Sequence, residues 1–128
     1  MLVDNMDFID ATIITLAFTS NDKKEECRAV LKEGGMVNSL ILVEAHNNIE
    51  RITKNRNLAT DAIKSILNKF EIVALDHNLL FEALKRTNKY NLKIFDLIHY
   101  TTALLKGCSS VVSYDKHFDG LEVKRKEP

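Results

Sequence analysis

Apolar residues along this chain recur with two periods. In "LATDAIKSILNKF" (58–70), Ala59, Ala62, Ile63, Ile66, Leu67 and Phe70 follow a 3.6-residue repeat, which predicts a helix. The same period predicts a helix over 40–54, with Ile41, Ala45, Ile49 and Ile52 as its apolar stripe. Glu44, Asn47, Asn48 and Arg51 share the opposite side of that helix. Residues 21–35 carry helix punctuation: Asp22 and Glu25 at capping-box spacing, Cys27, Val30 and Leu31 on one face, and Gly34-Gly35 as the stop. Two further helices are expected over 78–90, capped by Asp76, and over 95–107, closed by Gly107.

Short apolar runs separate these helices. "MDFID" (6–10), which turns directly into the helical "ATIITLAFT", reads as a strand, as do "MVNS" (36–39) and "EIVAL" (71–75). "SSVVSYD" (109–115) and a last short "LEVKR" (121–125) complete the set. Strands alternating with helices imply βα units in an α/β fold. The expected architecture is a mostly parallel sheet of four or five strands flanked by helices, α/β/α in three layers. The length of 128 residues fits one domain over 1–128, with no internal repeat or Pro-rich linker; the single proline is Pro128.

Charge and cysteine content narrow the class. Eighteen basic residues balance eighteen acidic ones, so a protein whose main work is coating nucleic acid is disfavoured, and any RNA contact must use local charge. Cys27 and Cys108 have no C-x-x-C or zinc spacing and are expected as buried free thiols. That usage points to a reducing, cytoplasmic compartment. No apolar run approaches the ~20 residues needed to span a bilayer, and the opening "MLVDNMDFID" lacks the features of a signal peptide.

In such a sheet, function concentrates at the carboxyl ends of the strands. Asp10 ends the first strand and Asp115 the fourth, while Glu44 lies about one helical turn past the second. Asp96 begins the helix that leads into 110–114, and a helix antiparallel to its following strand starts beside that strand's carboxyl end. Acids scattered from position 10 to position 115 are thus expected on one sheet edge. Carboxylates gathered without lysine or arginine among them call for a hard divalent cation, Mg²⁺ or Mn²⁺. Such an ion activates water and neutralises phosphodiester charge, so phosphodiester hydrolysis suits the set. Each acid also has a simpler reading: Asp10 and Asp96 as helix caps, Asp115 as a turn residue, Glu44 as a solvated helix position.

The segments "FIDATIIT", "LVEAHNNI", "FDLIHYTTAL" and "VVSYDKHFDGLEV", in this order, resemble the PIN-domain ribonucleases, and among them the VapC toxins of VapBC toxin–antitoxin systems. The resemblance covers essentially the whole chain. It implies that Asp10, Glu44, Asp96 and Asp115 bind Mg²⁺ or Mn²⁺ and cut RNA, with Thr12 and Ser113 as hydroxyl supports of the acids. It also implies a homodimer and a small antitoxin protein as partner. The chain departs from the family where "DKHF" replaces a common "D-x-D-F", putting His117 where relatives carry an acid and leaving one or two ions open. Asp119 reads as a turn residue before Gly120, against standing in for the missing acid, and His99 as a packing or surface histidine, against a substrate contact one turn from Asp96.

Arg51 and Lys54 after Glu44, and Arg86 on a later helix, are candidate RNA contacts, weighed against their being a solvated face; "KRK" (124–126) reads as a solvated tail. The leading expectation is a metal-dependent endoribonuclease, as a toxin or as a housekeeping nuclease. The alternative is a catalytically weak PIN-like module that binds RNA or protein. A haloacid-dehalogenase-like phosphatase would need a second Asp where Thr12 stands, and a receiver domain would need paired acids that "FIDAT" does not supply.

Overall fold

The computed structural model describes residues 5–128; positions 1–4 of the opening stretch, read above as lacking leader features, lie outside the described residues. Strands β1 (Phe8–Ile9), β2 (Gly35–Asn38), β3 (Phe70–Val73), β4 (Ser110–Val112) and β5 (Lys124–Lys126) form one sheet in the order β3-β2-β1-β4-β5. Every pairing is parallel. The helices are α1 (Ala11–Ala17), α2 (Lys24–Glu33), α3 (Ser39–Thr53), α4 (Arg56–Ile66), α5 (His77–Leu84) and α6 (Ile94–Leu105). They pack as two groups, α1 to α4 together and α5 against α6, as expected of layers on opposite sheet faces. Among the described residues no helix is long and apolar enough to cross a membrane.

β1 and β4 are buried throughout, with Phe8, Ile9, Val111 and Val112 in the core, which is why their sequence is continuously apolar rather than alternating. Parallel pairing aligns Phe8 with Val111 and Ile9 with Val112, so Asp10 and Ser113 leave the sheet side by side. The strand order reverses between β1 and β4, and the crevice at that reversal is where open α/β sheets bind ligands. Gly35 lets β2 approach β1 closely: a Cβ there would stand 2.8 Å from the Asp7 carbonyl oxygen. Cys27 and Cys108 are buried free thiols.

Several local expectations change. Asp22 does not cap α2; its N-cap is Lys23, whose N–H donates to the Asn21 side chain at 2.8 Å. Ile52 is half exposed rather than part of the α3 stripe. The helix expected over 78–90 ends at Leu84, because the next N–H groups bond three residues back (Arg86 to Ala83, Thr87 to Leu84) and wind the chain into turns. The last strand, expected over 121–125, is the edge strand Lys124–Lys126, so "KRK" is not a tail: its partner β4 supplies the hydrogen bonds while the Lys124 and Lys126 side chains stay in solvent.

Candidate active site

Asp10 occupies the N-cap of α1, where a carboxylate satisfies an orphan amide: Oδ1 accepts from the Ala11 N–H at 2.9 Å. Its Oδ2 accepts from the Ser113 hydroxyl at 2.7 Å, and that hydroxyl in turn accepts from the Asp115 N–H at 2.9 Å. One buried serine therefore ties the acid after β1 to the acid after β4. Burial pushes the Asp10 carboxyl above its ordinary value, with the Ser113 hydrogen bond as the main opposing influence.

Asp115 caps a 3₁₀ turn (Lys116–Phe118), its Oδ1 accepting from the His117 N–H at 2.9 Å and lying 2.7 Å from the His117 Nδ1. Asp96 sits in the first turn of α6. Ligand atoms of Asp96, Asp115 and His117 all lie within 4.8 Å of one another, beside a cleft of about 390 Å³ also lined by Asn91, Leu92 and Lys93. Among the described residues, no lysine or arginine pairs with Asp96, and its carboxyl is raised first by burial and then by the charges of Asp115 and Asp10. Those donors suit a divalent cation: two carboxylates and an imidazole converge, and the repulsion that raises Asp96 is what a cation would relieve.

Glu44 lies on α3, partly buried, and stands outside that tight trio. Its charge still bears on both Asp10 and Asp96. Its Oε1 accepts from the Nε2 of His99, which is 1% exposed and so is neither a surface nor a merely packed histidine. The reading of His99 changes accordingly. Thr12 is exposed on α1 and makes no hydrogen bond to any of the acids; the hydroxyl that orients Asp10 is that of Ser113. Arg51 and Lys54 are exposed at the far end of α3, whereas Arg86 donates to the Glu82 carboxylate and carbonyl, each at 2.8 Å.

Asn38 was not singled out by sequence, although Asn before an apolar helical run is an N-cap signal. Its Oδ1 caps α3 at the Ile41 N–H (2.8 Å) while its Nδ2 reaches His99 and Thr102. A larger hollow, about 640 Å³, runs along β3 and α5 past Glu71, Asp76 and Glu82, and holds none of the four acids.

Comparison with known proteins supplies the family. No curated protein matches the chain significantly by sequence. Solved structures share its fold. Mycobacterium tuberculosis VapC20, described as a sarcin–ricin loop cleaving toxin, superposes with a TM-score of 0.78 at 15% identity, over 94% of this chain and 98% of that one. A toxin–antitoxin complex from Klebsiella pneumoniae gives 0.71 at 14% identity, over 91% and 92%. VapBC2 from Rickettsia felis, bound to a DNA fragment from its promoter, gives 0.69 at 12%, over 94% and 97%. The PIN domain model matches residues 8–124, from the first residue of β1 into β5, and so takes in every acid of the cleft: the chain belongs to the PIN-domain family, a family of nucleases.

Proposed function

We propose that the protein is a Mg²⁺- or Mn²⁺-dependent endoribonuclease and the toxin of a VapBC-type toxin–antitoxin pair. The observation that carries this reading is the convergence of Asp96, Asp115 and His117 donor atoms within 4.8 Å at the sheet's topological switch. The toxin and toxin–antitoxin identities of the structural neighbours support the biological half of it, with a small antitoxin protein as partner; the resemblance to VapC toxins adds a second copy of the chain and a cytoplasmic setting to the proposal.

Asp10, Glu44, Asp96 and Asp115 would hold the ion, with the His117 ring beside Asp96 and Asp115 as a further donor. A divalent cation there supplies an activated water and neutralises charge developing on the phosphodiester. The chain's own residues prepare for that chemistry. Ser113 fixes the Asp10 carboxylate from behind, so its rotamer is set before any ligand arrives. Asp115 is pinned by its own cap to His117, which leaves Oδ2 without a partner among the described residues. Lys93 at the cleft, with Arg51 and Lys54 farther out, offers cations to RNA phosphates; Arg86 can join them only by giving up Glu82.

Purified protein should cleave RNA only with Mg²⁺ or Mn²⁺, and Asp10→Asn or Asp115→Asn should abolish the cleavage. Gel assays of RNA with and without EDTA check this. Undiminished cleavage in EDTA, or full activity in both variants, would sink the assignment.

A further inference from the structure

Four side chains from three elements form an unbroken chain of hydrogen bonds that ends at Glu44. Asn38, fully buried at the end of β2, has its amide orientation fixed because Oδ1 accepts from the Ile41 N–H at 2.8 Å. Both of its amide hydrogens must then point the other way. One donates to the Thr102 hydroxyl at 2.9 Å, which itself donates to the Ile98 carbonyl at 2.8 Å; the other meets the His99 Nδ1 at 3.2 Å. A donor facing Nδ1 makes that nitrogen an acceptor, so the ring proton resides on Nε2 and is given to Glu44 Oε1. No bond in this chain is ambiguous in direction. All four groups except Glu44 are essentially without solvent contact.

We propose that Asn38 and His99 are positioning residues for Glu44: the cap of α3 sets the tautomer of His99, and His99 fixes which oxygen of Glu44 is left for a cation. Oε1 is occupied by the ring, while no hydrogen bond from the described residues reaches Oε2. The Ile41 N–H at the start of α3 thereby specifies the orientation of a carboxylate three residues further along the same helix, through a histidine from α6. This rests on the reading of Glu44 as part of the metal cleft, and it concerns orientation alone.

The test compares two substitutions that differ in one contact. In His99→Asn the side-chain amide can still meet Asn38 but is too short to reach Glu44. In His99→Gln the terminal amide nitrogen stands near the place of Nε2. Calorimetric titration of the full chain with Mn²⁺ alone should show His99→Asn binding about 10- to 100-fold more weakly, as expected for loss of a group that orients a ligand. His99→Gln should recover most of that loss, and in a Glu44→Gln background His99→Asn should change Mn²⁺ affinity no further. Wild-type affinity in His99→Asn, or an equal loss in the Glu44→Gln background, overturns the proposal. So does a wild type that binds no Mn²⁺. If His99→Asn does not fold, ¹⁵N spectra of wild-type imidazoles decide: a His99 ring protonated at Nδ1 rather than Nε2 overturns it. RNA cleavage is not read in this experiment, so a protein that shows the expected Mn²⁺ pattern yet cuts no RNA refutes only the nuclease assignment.

Discussion

Glu122 receives the hydroxyl protons of Tyr90 at 2.8 Å and Tyr100 at 3.0 Å and has Lys89 at 3.6 Å, whereas Asp96 faces Asp115 across a cleft. The two carboxyls respond in opposite directions. The Glu122 backbone N–H, followed by the two tyrosine hydroxyls, holds its carboxyl down to about 2. Burial and like charge push Asp96 up. A carboxylate kept for structure is surrounded by donors; one that faces other carboxylates is satisfied only by something from outside the chain. That contrast separates the two regions more sharply than residue type does, since both are carboxylic acids.

The contrast yields an ordered set of measurements. The largest effect should come from Mn²⁺: at a hundredfold excess over its Kd, a ligand bound only by the folded state adds about 2.7 kcal/mol of stability. Thermal melts should show that rise in the wild type and in Glu122→Gln, and almost none in Asp96→Asn. Equal rises in all three would erase the distinction. In EDTA the order should reverse, with Asp96→Asn melting above the wild type by the ~0.5–2 kcal/mol common for one stabilising substitution. An Asp96→Asn protein less stable than wild type without metal would mean the cleft is not under electrostatic stress.

The smallest effect is the pH dependence, and its sign differs between the two acids. A raised carboxyl binds its proton more tightly when folded, so the penalty from Asp96 is present at neutral pH and fades as pH falls through the raised value. Glu122 behaves oppositely: its contribution is complete above the ordinary 4.5 and is lost as pH falls toward about 2. Glu122→Gln should therefore melt below the wild type at neutral pH, with the gap closing over that acid window. A gap independent of pH would show that the tyrosine contacts stabilise through packing alone.

The sheet and the placing of the acids were legible because both depend on local signals. A strand-to-helix junction leaves an apolar run followed by a capping acid, as at Ile9-Asp10, and parallel pairing then brings such junctions to one edge. What was not legible depended on partners far away in sequence. His99 looks like an isolated helical histidine until Asn38, 61 positions earlier, is seen to meet its ring. Asn38 itself, within "MVNS", offered a cap but no hint of its second role. β5 was legible as a last short strand but was set too early, at 121–125, because a strand bonded along one side only, with Lys124 and Lys126 in solvent, has no apolar pattern to fix its bounds. Thr12 was placed by resemblance, yet its exposed position on α1 makes it no neighbour of the Asp10 carboxylate by hydrogen bond. His117 was noticed as a departure from the family pattern; only the turn capped by Asp115 brings its ring to the other two donors.

Ser113 is bound through all three of its polar groups. Its N–H donates to the Lys126 carbonyl at 3.0 Å, its carbonyl accepts from Arg125 at 2.9 Å, and its hydroxyl donates to Asp10 at 2.7 Å. The most solvent-washed strand of the sheet is thus a lever on its most deeply set acid. Whatever frays β5 loosens the seat of Asp10 without touching any residue of the cleft.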